Sequence, residues 1–137
     1  MVALLSSPPI VIDTCSFRDR DFIRGLPSYH GRKVISSITY AEMQVFLIFE
    51  KNKDESFFDG ILNEAGVEIQ NYSKSHGLIT ANFGGNMGEF SNMFRDYAIA
   101  SHAFLPPWLV VTYNKKDFAF LTERVVSPTE FRYQFMP

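Results

Sequence analysis

The sequence predicts an α/β fold: a parallel sheet of about four to five strands covered by helices. Three observations lead there. Short β-branched or aliphatic runs alternate with stretches of helical periodicity along the chain. Their order, βαβα(α)β, favours parallel pairing with helices as crossovers. No repeat, low-complexity segment or Pro/Gly/Ser linker interrupts the 137 residues, so residues 1–137 read as one domain around one core.

Ile10-Val11-Ile12 reads as a buried strand entered from Pro8-Pro9, and Arg32 to Ser36 as a second. The longest helical pattern runs from Thr39 to about Asn52. The next, Ser56 to Ala65, stops at Gly66, a residue suited to a helix C-terminus. Val67-Glu68-Ile69 is a short third strand, followed by a weaker helical pattern from Tyr72 to Asn82. Gly84–Gly88 reads as a loop. Asp96 to Leu105 is a short helix closed by Pro106. Trp108 to Thr112, β-branched and following Pro106-Pro107, is the clearest strand. Phe118 to Glu123 and Val125-Val126 supply a last helix and a last short strand.

The composition, 46% hydrophobic and 20% charged, is that of a core-forming chain, and fourteen phenylalanines make the core aromatic. A single cysteine excludes an intrachain disulfide. The leading MVALLSSPPIVID lacks a positive n-region and is broken by two prolines, so it reads poorly as a signal peptide. No apolar run reaches the roughly 18 residues a membrane span needs. A soluble, cytoplasmic protein is expected. The net charge of −2 argues against a long electrostatic footprint on duplex nucleic acid, but leaves room for a short stretch of RNA on a local basic rim.

In parallel sheets, sites form beyond the carboxyl ends of the strands, and four acids are expected on that rim. Asp13 directly follows the first strand. Glu42 shares a helix face with Val45, Phe46 and Phe49, where a carboxylate is costly unless a cation compensates it. Asp96 opens its helix with Ile99, Ala100 and Ala103 on its face. Asp117 lies in the turn after the fourth strand, three residues beyond Asn114. Each acid has a plainer reading. Asp13, Asp96 and Asp117 suit helix N-caps, and Glu42 suits a capping box with Thr39. Taken together, an oxygen-only set suits Mg²⁺ or Mn²⁺ over zinc. His30, His76 and His102 show no zinc spacing and read as surface or supporting residues. Cys15 reads as a small buried residue.

Four segments carry a family resemblance. Val11-Ile12-Asp13-Thr14-Cys15, Ser36-Ser37-Ile38-Thr39-Tyr40-Ala41-Glu42, Asp96-Tyr97-Ala98-Ile99-Ala100-Ser101-His102-Ala103 and Val110 to Phe118 resemble, in order and spacing, the motifs of the PIN-domain family, and within it the VapC-like toxin ribonucleases. The resemblance implies a PIN-like three-layer fold and a metal-dependent endoribonuclease acting on single-stranded RNA, the toxin of a toxin–antitoxin pair. Asp13, Glu42 and Asp96 would be its core acids and Asp117 the fourth, a place some members give to the position of Asn114. Thr14, Ser16, Thr112 and Asn114 would support the site, and Lys115, Lys116 and Arg95 would hold flanking phosphates. Cys15, where Ser or Asn is commoner, and the Gly/Asn/Phe-rich stretch Ala81 to Met93 depart from the family pattern. A homodimer through the helix Thr39–Asn52 and its successor is implied, as is an antitoxin protein partner in the same region. That helix also carries more apolar surface than one face can bury.

Two rivals stand beside this reading. A phosphatase using Asp13 as nucleophile would want a second aspartate two residues on, where this chain has Cys15. A PIN-like RNA-binding or RNA-processing module outside any toxin–antitoxin system would show weak or no cleavage, and would typically have lost acids that are all present here.

Overall fold

The computed structural model describes residues 7–136. The leading residues 1–6, part of the segment read above as a poor signal peptide, lie outside the described residues. Five strands, β1 (Ile10–Ile12), β2 (Lys33–Ser36), β3 (Glu68–Gln70), β4 (Leu109–Val111) and β5 (Val125–Val126), form one sheet in the order β3-β2-β1-β4-β5. Every pairing is parallel, with Val11 opposite both Val34 and Val110. The chain builds outward from β1 on one side, then returns to build the other side. The strand order therefore reverses between β1 and β4, the position where such sheets open a crevice at their carboxyl ends.

Helices cover both faces. They are α1 (Arg20–Gly25), α2 (Ser37–Val45), α3 (Phe57–Ala65), α4 (Lys74–Gly84), α5 (Met87–Ala100) and α6 (Pro128–Phe135). Alternation along β1 sorts the core by face. Ile10 and Ile12 pack with Phe22, Met43, Leu47, Phe58 and Phe131 from α1, α2 and its extension, α3 and α6. Val11 and Val110 face Ile99, Ala100, Ala103, Phe118 and Leu121 on the other side. The small residues Ala100 and Ala103 let the end of α5 and the turn after it sit against the strands. This is a three-layer arrangement with an aromatic core. Phe22, Phe58, Phe118 and Phe131 are fully buried, and Phe131 meets Phe22 and Tyr29 edge-on at 5.8 and 4.9 Å. Among the described residues no helix is long and apolar enough to cross a membrane.

Several expected elements shift. The Gly84–Gly88 stretch is a tight corner. Gly84 ends α4, Gly85 takes a left-handed φ of 74°, and Asn86 accepts the Glu89 N–H at 2.9 Å to start α5. α5 thus begins at Met87 and not at Asp96. The segment expected at Phe118–Glu123 is a 3₁₀ stretch over Lys115–Leu121. Two helices were not expected, α1 and α6. Asp19 caps α1 through the Phe22 N–H at 3.0 Å. A full capping box, Ser127 with Glu130, and Pro128 in the first turn start α6.

α2 also differs from its expected form. Its cap is Ser36, whose hydroxyl accepts the Ile38 N–H at 3.1 Å, not Thr39, which is buried. Its core ridge is Thr39, Met43 and Leu47, continued through a π-helical turn over Phe46–Glu50. Of the ridge expected beside Glu42, Val45 and Phe49 point outward, 57% and 77% exposed, while Phe46 is half-buried and packs against the core.

Candidate functional site

Asp13 ends β1 at the point of strand reversal, and its backbone N–H donates to Val111 O at 3.0 Å. Its side chain is fully buried and has four neighbours. Oδ1 accepts the Thr14 N–H at 2.8 Å, so the expected N-cap role holds for the short 3₁₀ turn Thr14–Arg18. Oδ1 also accepts from Arg95 Nη2 at 2.7 Å, and Oδ2 accepts the Thr112 hydroxyl at 2.8 Å. The Cys15 sulfur lies 3.5 Å from Oδ2. Thr112 in turn accepts the Asn114 N–H at 3.0 Å, which ties the loop after β4 to the end of β1.

Glu42, 33% exposed, reaches in from the second turn of α2. The Thr14 hydroxyl donates to its Oε1 at 2.5 Å. Asp96 projects from the penultimate turn of α5, well inside the helix, so its expected N-cap role falls away. The three carboxylates meet around one cation, the guanidinium of Arg95. Nε donates to Glu42 Oε2 at 2.5 Å and Nη1 to Asp96 Oδ1 at 2.8 Å. Nη2 donates to Asp13 Oδ1, Glu42 Oε1 and Thr14 Oγ1 at 2.7, 2.9 and 3.1 Å. Arg95, expected at the rim as a phosphate contact, instead sits among the acids. Sequence reading missed this because it started the helix at Asp96, which left Arg95 in a connector.

The electrostatics follow from this crowding. Burial would lower the Arg95 pKa, but bonding to Glu42 and the charge of Asp13 outweigh it and hold the guanidinium above its ordinary value. Burial raises the Asp96 carboxyl. Arg95 opposes that shift, and the charges of Asp117 and Asp13 add to it. Asp117 is half-buried in the first turn of the 3₁₀ segment that Asn114 precedes, close enough for Asp96 to feel its charge.

The supporting residues divide. Thr14 and Thr112 bond the acids directly. Ser16 is buried and donates to Val111 O at 2.9 Å, joining the first turn to β4. Asn114 is exposed and has its amide 3.9 Å from the Cys15 sulfur. Lys115 pairs with Glu130 at 2.9 Å, and Lys116 is exposed. Cys15 is half-buried, not buried, and accepts the Tyr113 N–H at 3.3 Å. His102 is buried, against expectation. Its Nδ1 lies 2.5 Å from Gln70 Oε1, its ring stacks on His76 at 4.1 Å, and burial first and His76 second push its pKa down to about 4. It sits in the 3₁₀ turn that α5 runs into, under the edge strand β3.

A cleft of about 820 Å³ leads away from the acids. It is lined by Thr14 and Arg95, which bond the acids, by Phe17, Phe46 and Phe58, and by Arg18, Arg20 and Arg24.

The oxygen-only donor set has the chemistry of a hard divalent-cation site. Arg95 supplies a stand-in positive charge at its centre. Among the described residues no three His, Cys, Asp or Glu side chains are disposed to hold a metal ion as they stand, and the guanidinium bonds oxygens of all three acids. The residues therefore fit such an ion in kind, provided Arg95 withdraws.

No family model matches the sequence, and no curated protein matches it. Solved structures do match. A chain of a toxin–antitoxin complex from Klebsiella pneumoniae superposes with a TM-score of 0.64 at 24% identity, over 87% of this chain and 97% of that one. A chain of DNA-bound VapBC from Salmonella typhimurium gives 0.66 at 21%, over 88% and 98%. One of VapBC-1 from nontypeable Haemophilus influenzae gives 0.56 at 19%, again over 88% and 98%. At these identities the likeness is one of fold. The chain has the PIN-like α/β fold, built on a five-stranded parallel sheet, that is seen in VapBC toxin–antitoxin complexes.

Proposed function

We propose that this chain, acting as a single PIN-like domain over residues 1–137, is a metal-dependent endoribonuclease. It would hydrolyse phosphodiester bonds of single-stranded RNA with Mg²⁺ or Mn²⁺, as the toxin of a toxin–antitoxin pair in the cytoplasm. One observation carries the reading: Asp13, Glu42 and Asp96, from three separate elements, converge within hydrogen-bond distance of one cation at the strand reversal. Asp13 and Asp96 would hold the divalent ion, with Asp117 adding charge nearby. When bound, the ion supplies positive charge against the phosphate and lowers the pKa of a water molecule. Glu42, the most exposed of the three clustered acids, would orient that water and take its proton. Thr112 and Thr14 fix the rotamers of Asp13 and Glu42. Arg18, Arg20 and Arg24 would take flanking phosphates, as would the exposed Lys116, and the aromatic residues in the cleft suit unpaired bases. The exposed Val45, Phe49 and Phe57 support a homodimer or a bound antitoxin segment on the surface of α2, its π-helical extension and α3.

A second reading, an RNA-binding module that cuts weakly or not at all, is favoured by Arg95, which occupies the cluster in the manner of a permanent partner. One experiment separates the two. Protein stripped with EDTA is melted with and without Mn²⁺ and assayed on an unstructured RNA. The nuclease reading expects Mn²⁺ to raise the melting temperature and restore cleavage, and Asp13→Asn to abolish both. Equal Mn²⁺ responses of parent and Asp13→Asn, or full cleavage in EDTA, would defeat it.

A further inference from the structure

We propose that Arg95 is a resident counter-cation: it neutralises the acid cluster in the metal-free protein, and a divalent ion enters only by expelling it. The proposal rests on the metal-dependent reading above and adds a gate to it.

The same lone pairs are in demand twice. Arg95 takes both oxygens of Glu42 through its Nε/Nη2 fork, and one oxygen each of Asp13 and Asp96. The other Asp13 oxygen is already committed to Thr112. A hard cation needs several carboxylate oxygens turned toward one point, and that point is filled by the guanidinium carbon and its nitrogens. Both cations cannot be served at once.

The arrangement is also reversible. Arg95 is one residue from Asp96 in α5, so once displaced it remains tethered beside the site and competes at a fixed effective concentration. It has somewhere to go, because its side chain lines the 820 Å³ cleft and is 36% exposed. Three carboxylates left without a cation would repel one another in a half-buried setting. The arginine therefore preserves the cluster's shape when metal is scarce, at the expense of apparent metal affinity. A binding-competent state populated only fractionally weakens affinity by that fraction.

The test needs no turnover. Mn²⁺ binding is measured on EDTA-stripped parent, Arg95→Met and Arg95→Lys by electron paramagnetic resonance of the free ion. Arg95→Met should bind Mn²⁺ about tenfold more tightly or better, and melt lower than the parent in EDTA but not in Mn²⁺. Arg95→Lys keeps the charge and loses the fork, so it should fall between them, and it serves if the methionine variant does not fold. In the parent, the NMR signal of Arg95 Nε–H should move from a hydrogen-bonded to a free position on adding Mg²⁺. Equal or weaker Mn²⁺ binding by both variants, or an Arg95 signal unchanged at saturating Mg²⁺, would overturn the gate and leave the metal reading standing. Absence of binding to all three proteins would defeat the metal reading and the gate with it.

Discussion

Mild acid should destabilise this protein through one buried imidazole. His102 faces Gln70 Oε1 at 2.5 Å, the His76 ring at 4.1 Å and the Tyr72 ring at 6.3 Å, and among the described residues its buried Nε2 has no hydrogen-bond partner. Protonation would place an N–H there with nothing to accept it and a second titratable ring stacked above. These causes, burial foremost, put its pKa at about 4 in the folded chain, against about 6.5 for an unfolded histidine. The folded state then binds fewer protons than the unfolded one between those values. The stabilisation is complete above pH 6.5 and is lost as pH falls toward and through 4. Linkage gives a loss of about 2 kcal/mol at pH 5 relative to pH 7.5. With a urea slope of about 1–3 kcal/mol/M, the midpoint should fall by about 1 M. Carboxylates and His76 titrate as well, so the comparison is with His102→Phe, which keeps a ring on His76 and removes the proton site. Urea melts at pH 7.5, 6 and 5 should show the parent losing about 2 kcal/mol more than the variant. Parallel pH profiles would refute the reasoning.

Two further outcomes follow from the site and its surroundings. Asp117→Ser should keep or slightly raise its EDTA melting temperature, because serine is also tolerated in the first turn and removes a charge that crowds Asp96. It should lose cleavage by tenfold or more, and an active serine variant would shift the role to Asn114. Phe49→Ser, at a position 77% exposed, should leave the folded monomer as stable as the parent while reducing self-association in light scattering. A parent that is monomeric at high micromolar concentration would remove the dimer proposal.

β1 and β4 were legible because aliphatic, largely β-branched runs entered from prolines mark buried parallel strands. β5 falls at Val125–Val126 as expected, and the other four agree within a residue at either end. Asp13 and Thr112 could be placed from those strand ends alone. The helices were less legible where the start signal was misread. Asn86 and Glu89 form a good helix start, but they sit among glycines that read as a loop, so α5 was opened nine residues late. That error hid the position of Arg95 and gave Asp96 a capping role it does not have. Ser127-Pro128-Thr129-Glu130 is a capping-box signature in the sequence, and it marks the start of α6. Periodicity alone also misassigned α2. It grouped Glu42 with Val45, Phe46 and Phe49, of which only Phe46 packs on the core, whereas the buried ridge is Thr39–Met43–Leu47.

The strand order also sets when the acid cluster comes into existence. Asp13 meets its partners through bonds to Arg95 and Thr112, 82 and 99 positions later in the chain. β1, the central strand, has no β4 beside it until the chain has been made past Val111. At about 5–20 residues per second, roughly 5–20 s of synthesis separate the first acid from the threonine that holds it. Until then β1 lacks one of its two neighbours and Asp13 lacks the Thr112 contact. Whatever chemistry the assembled cluster performs is thereby confined to chains made past Thr112, and a truncated product ending before α5 would carry Asp13 and Glu42 without the arginine that joins them.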